Sequence, residues 1–306
     1  MKLDGKELSR RIQRSLARNG MYFFYWLFSL LPYGFMLKMV NVLVAVGFRF
    51  THKQRNLAEE SLSIAFGGKK SSEEIDHIVK QCFGNLGRGM VELVYFLSHT
   101  GEALGKVEFQ GREHLDKALS EGKGVIAVTA HFGNFPLMML CCSQMKYQTN
   151  CIIRPTRDKV LEKFLLQKRF EAGLNTIYAL PRHTCVLESL KVLRNNELLF
   201  VPLDQNFGSG KGVFVDFFGQ KAATATGPIV FASRTQSPIL PMFIVRDSEQ
   251  KHRVIIEPPL QLDLSRSEEE NLVVNTQKIT TLIESYIRRY PHEWGWMHRR
   301  WKSKQG

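Results

Sequence analysis

The chain is poor in cysteine, with five among 306 residues (Cys82, Cys141, Cys142, Cys151, Cys185) and no C-x-x-C pair. An odd, scattered set excludes both a paired-thiolate zinc site and a disulfide framework, and points to a reducing compartment. Common enzyme signatures are missing too: no H-E-x-x-H, no G-x-S-x-G and no G-x-G-x-x-G occurs. The loop Gly208-Ser209-Gly210-Lys211-Gly212 is not a P-loop, because Gln205 replaces the first glycine and Gly212 replaces the Ser or Thr after the lysine. Acid is scarce as well, 29 Asp and Glu against 42 Lys and Arg, for a formal net charge of +13. That excess calls for an anionic partner: nucleic acid, phosphorylated lipid, an anionic membrane surface or an acidic carrier protein. Charge alone does not choose among them.

The N-terminus narrows the choice. Residues 1–20 carry six basic side chains (Lys2, Lys6, Arg10, Arg11, Arg14, Arg18) against Asp4 and Glu7. The uncharged, aromatic run Met21-Tyr22-Phe23-Phe24-Tyr25-Trp26-Leu27-Phe28-Ser29-Leu30-Leu31 follows. A cleaved signal peptide does not fit, since bulky Pro32-Tyr33-Gly34-Phe35 stands where small residues belong. No charge appears before Lys38, yet Pro32 and Gly34 interrupt a stretch already marginal against the ~20 residues that cross a bilayer. Three readings stand: a span, a helix lying in the headgroup region, or a helical hairpin packed on the protein's own core.

Helical patterns dominate to about residue 100, with Ser71-Ser72-Glu73-Glu74 opening a helix that runs to about Ser98. From Val107 strands and helices alternate. Strands are expected at 124–130, 149–154, 197–203, 213–217, 239–245 and 252–257, and helices at 134–145, 158–172, 184–194, 226–236 and 268–290. Without repeats or linkers, this predicts one α/β domain over 51–306, its mainly parallel central sheet flanked by helices. Residues 1–50 form a helical, membrane-facing section.

Two runs carry chemistry. Val125 to Ala130 reads as a buried strand and breaks into His131-Phe132-Gly133-Asn134, with Asn134 placed to cap the next helix. This delivers an imidazole to the carboxyl end of a sheet, where ligands of open α/β folds bind. Leu198-Leu199-Phe200-Val201-Pro202-Leu203 repeats the pattern and ends in Asp204-Gln205-Asn206. Two such strand ends would bring Asp204 to His131, fixing the tautomer and stabilising the imidazolium; alternatively Asp204 only caps its own loop. Arg154 and Arg157 follow another strand on the same edge and suit phosphate or carboxylate, or else form a solvated pair. Thr226-Gly227 opens a helix whose free N–H groups suit an anion or oxyanion. Trp294-Gly295-Trp296-Met297-His298-Arg299-Arg300-Trp301-Lys302 mixes tryptophan with cations, for base stacking, a membrane interface, or packing of the last helix on the core.

Taken together these runs resemble the bacterial lipid A late acyltransferases, the lauroyl/myristoyl acyltransferase family, from about Leu31 to Lys302. The marks are Arg55-Asn56-Leu57 before a helix, Asn85-Leu86-Gly87-Arg88 with Glu92, His131-Phe132-Gly133-Asn134-Phe135, Arg154-Pro155 and Pro202-Leu203-Asp204-Gln205-Asn206. Val213-Phe214-Val215, Ala222-Ala223-Thr224-Ala225-Thr226-Gly227 and Trp296-Met297-His298-Arg299-Arg300 complete the order. The resemblance implies a glycerolipid-acyltransferase-like fold at the cytoplasmic face of the inner membrane. It implies transfer of a fatty acyl chain from acyl carrier protein or acyl-coenzyme A to a hydroxyl of a lipid A precursor or related anionic glycolipid. His131 would act as general base, Gly133–Asn134 or Thr226–Gly227 would hold the oxyanion, and Arg154 and Arg157 would bind substrate. A thioester is already activated, so no metal and no further cofactor is expected. One departure matters. The family pairs its histidine with Asp or Glu five positions on, where this chain has Pro136. Either Asp204 supplies the partner, or the protein is an altered or inactive lipid-binding homologue. A non-enzymatic basic binder of membrane or nucleic acid is the competing class. Nucleic acid is disfavoured, because Met21 to Leu31 has no role there and no recognised binding motif is present.

Overall fold

The computed structural model describes residues 5–208, 212–247 and 251–305; Lys2, Asp4, the Ser209-Gly210-Lys211 stretch, and the side chains of Lys6, Glu7, Arg10, Arg11 and Arg14 lie outside the description. Four helices lead: α1 (Gly5–Leu30), α2 (Tyr33–Phe50), α3 (His52–Phe66) and α4 (Ser72–Ser98), then the single turn α5 (Thr100–Ala103). β1 (Val107–Gln110), α6 (Arg112–Ser120), β2 (Val125–Thr129), α7 (Phe135–Gln144), β3 (Thr149–Ile153), α8 (Lys159–Glu171), β4 (Leu174–Tyr178), α9 (Arg182–Arg194) and β5 (Leu198–Pro202) then alternate. A hairpin of β6 (Val213–Phe217) and β7 (Gln220–Thr224) precedes α10 (Gly227–Thr235), β8 (Ile239–Arg246), β9 (His252–Ile256) and α11 (Glu268–Arg289).

Seven strands form the main sheet in the order β1-β9-β8-β2-β5-β3-β4. Every neighbouring pair is parallel except β8 with β9. All five residues of central β2 are buried, as an apolar run covered on both faces requires. The expected alternation is therefore present, with differences at the margins. The strand at 213–217 is not part of the main sheet but pairs with β7 in a separate antiparallel hairpin. Arg55-Asn56-Leu57 lies inside α3 rather than before it. Two strands that no apolar run announced, Val107–Gln110 and Leu174–Tyr178, are the sheet's edges, where polar residues replace the continuous apolar pattern.

The uncharged run from Met21 breaks at Leu31–Pro32 into two helices. The segment long and apolar enough to cross a membrane is α2, Tyr33–Phe50, rather than the aromatic run before it, and only 11% of it is buried. Phe23, Trp26 and Leu30 of α1 and Phe35, Val42, Val46 and Phe50 of α2 are exposed. The packed-hairpin reading thus fails for these faces: they do not cover the core. The opposite side of α2 packs on α4, where Val44 occupies the space that a Cβ at Gly87 would need.

One carboxylate joins these helices to the sheet. Glu92, midway along α4, is fully buried. It accepts from Arg246 Nη1 and Nη2 at 2.9 and 2.7 Å, and pairs with His252 Nε2 at 3.0 Å. It also accepts from the Tyr33 hydroxyl and from Asn134 Nδ2, each at 3.0 Å. Burial acts to raise its pKa, but the bonds and charges of His252 and Arg246 outweigh that and hold it far below the carboxylate range. Glu92→Gln should cost about 3–5 kcal/mol in denaturant unfolding, because it strands the Arg246 cation in the interior. The sign for pH is fixed by the depressed folded value. Glu92 contributes stability above the unfolded glutamate pKa of about 4.3, and that contribution is lost as pH falls. The pH-dependent part should shrink in the variant, measured as midpoint shifts as pH is lowered from about 5 to below the unfolded value.

Candidate active site

β2, β5 and β3 lie side by side and parallel, so their carboxyl ends share one edge. Thr129 pairs with Pro202, and the residue two places beyond each is His131 and Asp204. The register alone makes them neighbours. Asp204 Oδ1 lies 2.9 Å from His131 Nδ1 and also accepts the His131 backbone N–H at 3.0 Å. Asp204 Oδ2 accepts the Trp294 indole N–H at 2.8 Å. The aspartate side chain is fully buried, while the imidazole keeps 35% of its surface. Phe135 meets the ring edge-on, with centroids 5.1 Å apart.

Burial lowers the His131 pKa, but the Asp204 charge and hydrogen bond reverse it, leaving the imidazole above the ordinary histidine value. For Asp204, burial pushes upward; His131, the charge of His298 and the Trp294 N–H together hold it well below the aspartate range. An ionised acceptor at Oδ1 assigns the ring proton to Nδ1 and leaves Nε2 as the basic atom. The pair is thus arranged for proton transfer at one defined atom.

The remaining expected residues divide. Gly133 has φ +56°, and a side chain there would collide with the Ile244 carbonyl. Its N–H already donates to Glu293 O at 2.8 Å, so it is not a spare oxyanion donor. Asn134 caps α7 by accepting from Leu137 N–H, and its amide nitrogen is held by Glu92, which commits both ends to structure. Thr226 and Gly227, at the start of α10, line a cavity of about 550 Å³ together with His131 and Arg154. The rest of that lining is largely apolar, including Ile152, Val186, Val201, Leu203, Val230 and Phe231. Arg157 is exposed and does not reach this cavity. Pro136 sits in the first turn of α7, where a missing N–H is tolerated.

Other parts of the site escaped the sequence. Trp294, Trp296 and Arg300 are fully buried, so the C-terminal run packs on the core and offers neither a stacking surface nor a membrane belt. It follows α11 as irregular chain. Arg300 donates to the Gln205 and Ala223 carbonyls and to Thr224 Oγ1, bracing the loop after Asp204. A second cavity of about 260 Å³ shares His131 and Gln205 with the first and is lined also by Asn85, Glu293 and His298. Burial pushes Glu293 up to about 7. Among the described residues, no three His, Cys, Asp or Glu side chains gather as metal ligands, and all five cysteines are free and buried.

A sequence model of the bacterial lipid A biosynthesis acyltransferase family matches residues 7–303. The lipid A biosynthesis palmitoleoyltransferase of Escherichia coli (strain K12) is 24% identical over 286 residues, covering 91% of this chain and 89% of that protein. The lipid A biosynthesis lauroyltransferase of the same organism is 22% identical over 283 residues, with 91% and 89% covered. A phosphatidylinositol mannoside acyltransferase of Mycobacterium tuberculosis (strain CDC 1551 / Oshkosh) is 26% identical over 132 residues, 43% of this chain and 42% of that one.

The geometry sets an expectation for titration. His131 followed by NMR in the full chain should titrate above 6.5, and Asp204→Asn should bring its pKa down, since burial then acts unopposed. Unchanged titration in Asp204→Asn would mean that Asp204 does not control the ring.

Proposed function

Because the chain belongs to the bacterial lipid A biosynthesis acyltransferase family, we propose that it moves a fatty acyl chain from a thioester donor to a hydroxyl of a lipid A precursor or related glycolipid, with His131 as the base. It is an acyltransferase. The observation that carries it is the His131–Asp204 pair opening onto a largely apolar cavity whose polar lining includes Arg154 and the start of α10.

In this reading the acyl chain lies in the apolar cavity and the thioester carbonyl sits at its polar end. His131 Nε2 takes the acceptor's hydroxyl proton as the oxygen attacks that carbonyl. The imidazolium formed is stabilised by Asp204, which stays ionised. The carbon–sulfur bond then breaks and the thiolate leaves, taking the proton back from Nε2. No covalent enzyme intermediate is needed. The start of α10 suits the oxyanion better than Gly133, whose N–H is already engaged. Arg154, in the cavity, meets a phosphate or carboxylate of a substrate; Arg157, exposed beside it, suits the acidic surface of a carrier protein or a phosphate of coenzyme A. Pro136 favours the rival reading of an inactive lipid-binding homologue. Against it, the buried Asp204 provides the charge and hydrogen bond that a carboxylate at 136 would have offered.

Residues 1–50 are the membrane-associating part, through the exposed apolar residues of α1 and α2, with the catalytic part at the cytoplasmic face of the inner membrane. The protein should remain with membranes after a high-salt wash, and trimming residues 1–50 should release it. Full recovery of the intact chain in the soluble fraction at low salt would refute this anchoring.

Turnover tests the chemistry. His131→Ala should lower acyl transfer at least ~100-fold, and Asp204→Asn should also be severe. The double variant should be little worse than His131→Ala if the two act as one unit. Normal transfer by Asp204→Asn with an intact fold would break the dyad. A wild type that transfers no long-chain acyl thioester to any glycolipid would favour the inactive homologue.

A further inference from the structure

Helix α1 has two faces. Ile12, Leu16, Phe23, Trp26 and Leu30, spaced at three, four and seven residues, are all exposed and fall on one stripe of the helix. The opposite face turns inward. Phe28 is buried there, and the rings of Tyr22 and Tyr25 meet Phe164 of α8 edge-on, with centroids 4.8 and 5.3 Å apart. One turn earlier on that inward face, Arg18 Nη1 donates to Asp158 Oδ2 at 3.0 Å. The stripe suits a bilayer; the inward face meets the protein at the turn that carries Arg154.

Among the described residues Arg154 makes no hydrogen bond or ion pair of its own, so the backbone that carries it sets its pose. That backbone is the turn between β3 and α8, and it is braced twice. Thr156 N–H donates to Glu162 Oε2 at 2.6 Å, and the buried Glu162 is itself held by Arg169 Nη2 at 2.8 Å and the Tyr178 hydroxyl at 3.2 Å. Thr156 Oγ1 donates to the Asp158 carbonyl at 3.0 Å. Asp158 Oδ1 caps α8, accepting from Val160 and Leu161 N–H at 3.0 and 3.1 Å. Asp158 thus gives one oxygen to α8 and the other to Arg18. We propose that Arg18, acting through Asp158, is a positioning residue for Arg154: the ion pair ties the substrate-binding turn to the membrane-lying helix and so fixes where the guanidinium stands in the cavity. The inference rests on the acyl-transfer reading, in which Arg154 meets an anionic group of a substrate.

Burial makes this pair more than a surface contact. The Asp158 side chain keeps 13% of its surface and Arg18 26%, so the pair is screened less than Lys80–Asp76 or Arg112–Asp116, in which both side chains are at least half exposed. Tyr22 and Tyr25, with Lys168 Nζ 5.2 Å from the Tyr25 ring centre, hold the next turns of α1 against α8, which lowers the entropy cost of pairing Arg18. Asp158 is four residues after Arg154, with Thr156 bonded to it in between, so a displacement at Asp158 finds little slack before it reaches Arg154. An ion pair that only steadied α8 would affect both substrates alike or neither. A positioning pair affects the one substrate that Arg154 meets.

Asparagine caps a helix as well as aspartate does, so Asp158→Asn removes the charge and keeps the cap. In the full chain in detergent, Arg154→Gln should raise KM for one of the two substrates, donor or acceptor, and so identify the one it binds. Arg18→Gln and Asp158→Asn should each raise that same KM about threefold, with kcat and the other KM unmoved, and the double variant should be no worse than either single one. Arg18→Lys should restore most of the loss. Hydrogen exchange read by mass spectrometry should be faster at Thr156 in both variants. Arg18→Gln should stay with membranes like the wild type, because the outward stripe is untouched. No KM change in Arg154→Gln or Arg18→Gln, equal rises in both KM values, a fall in kcat alone, additive losses in the double variant, or release of Arg18→Gln from membranes would each overturn the proposal. Should the wild type transfer acyl groups while exchange at Thr156 ignores Arg18, this inference alone fails. Should exchange respond to Arg18 while no acyl transfer occurs, the acyl-transfer reading fails and the tie between α1 and the Arg154 turn stands.

Discussion

Taking a carboxylate out of water costs several kcal/mol unless its lone pairs are answered, and Glu92 is answered from α2, β8, β9 and the start of α7 together. Each partner alone could sit in many places; together they admit one placement of α4 across the sheet. Asn134, held by Glu92 and capping α7, lies three residues after His131. The buried charge therefore sets the path of the chain that leaves β2, and through it the pose of the imidazole. The same helix supplies Lys80, Asn85 and Arg88 to a cavity of about 780 Å³ that Arg246 also lines. The placement of His131 and the surrounding cavities share one electrostatic anchor.

The second buried carboxylate obeys the same rule with a different set of donors. Asp204 is met by the His131 ring, the His131 backbone and the Trp294 indole, so it stays ionised despite burial. A residue in the first turn of α7 would have stood on the other strand end of the pair, and Pro136 fills that place with a side chain suited only to starting a helix. The charge beside the imidazole is instead carried by β5. What defines the pair is a polar contact between adjacent parallel strands, and either strand can in principle furnish the acid.

The parts legible in the sequence were those carried by continuous apolar runs. Val125–Thr129 and Leu198–Pro202 announce central strands, and abrupt polar endings announce the sheet edge, which is enough to suspect His131 and Asp204. The edge strands Val107–Gln110 and Leu174–Tyr178 were silent because alternating polar residues are what a sheet edge requires. Arg154 and Arg157 share one local context, and only the turn after β3 decides that the first reaches the cavity. Trp294 reaches Asp204 across 90 residues of chain, and the Glu293 carbonyl meets Gly133 from still farther along; a local pattern carries no trace of such contacts. The mixture of tryptophan and cations at 294–302 gave a signal without a direction, and burial of Trp294, Trp296 and Arg300 supplied the direction.

The brace on Asp204 has a consequence for biosynthesis. Trp294 and Arg300 come from the chain after α11, whereas His131 and Asp204 are made long before. While the ribosome is still adding α11, β2 and β5 can already lie side by side, but the aspartate has no indole to hold its second oxygen and the loop at Gln205 has no guanidinium beneath it. The His131–Asp204 pair is therefore keyed into place by chain made after α11. A growing polypeptide would carry α1 and α2 well before it could complete the His131–Asp204 pair, which waits for chain made after α11.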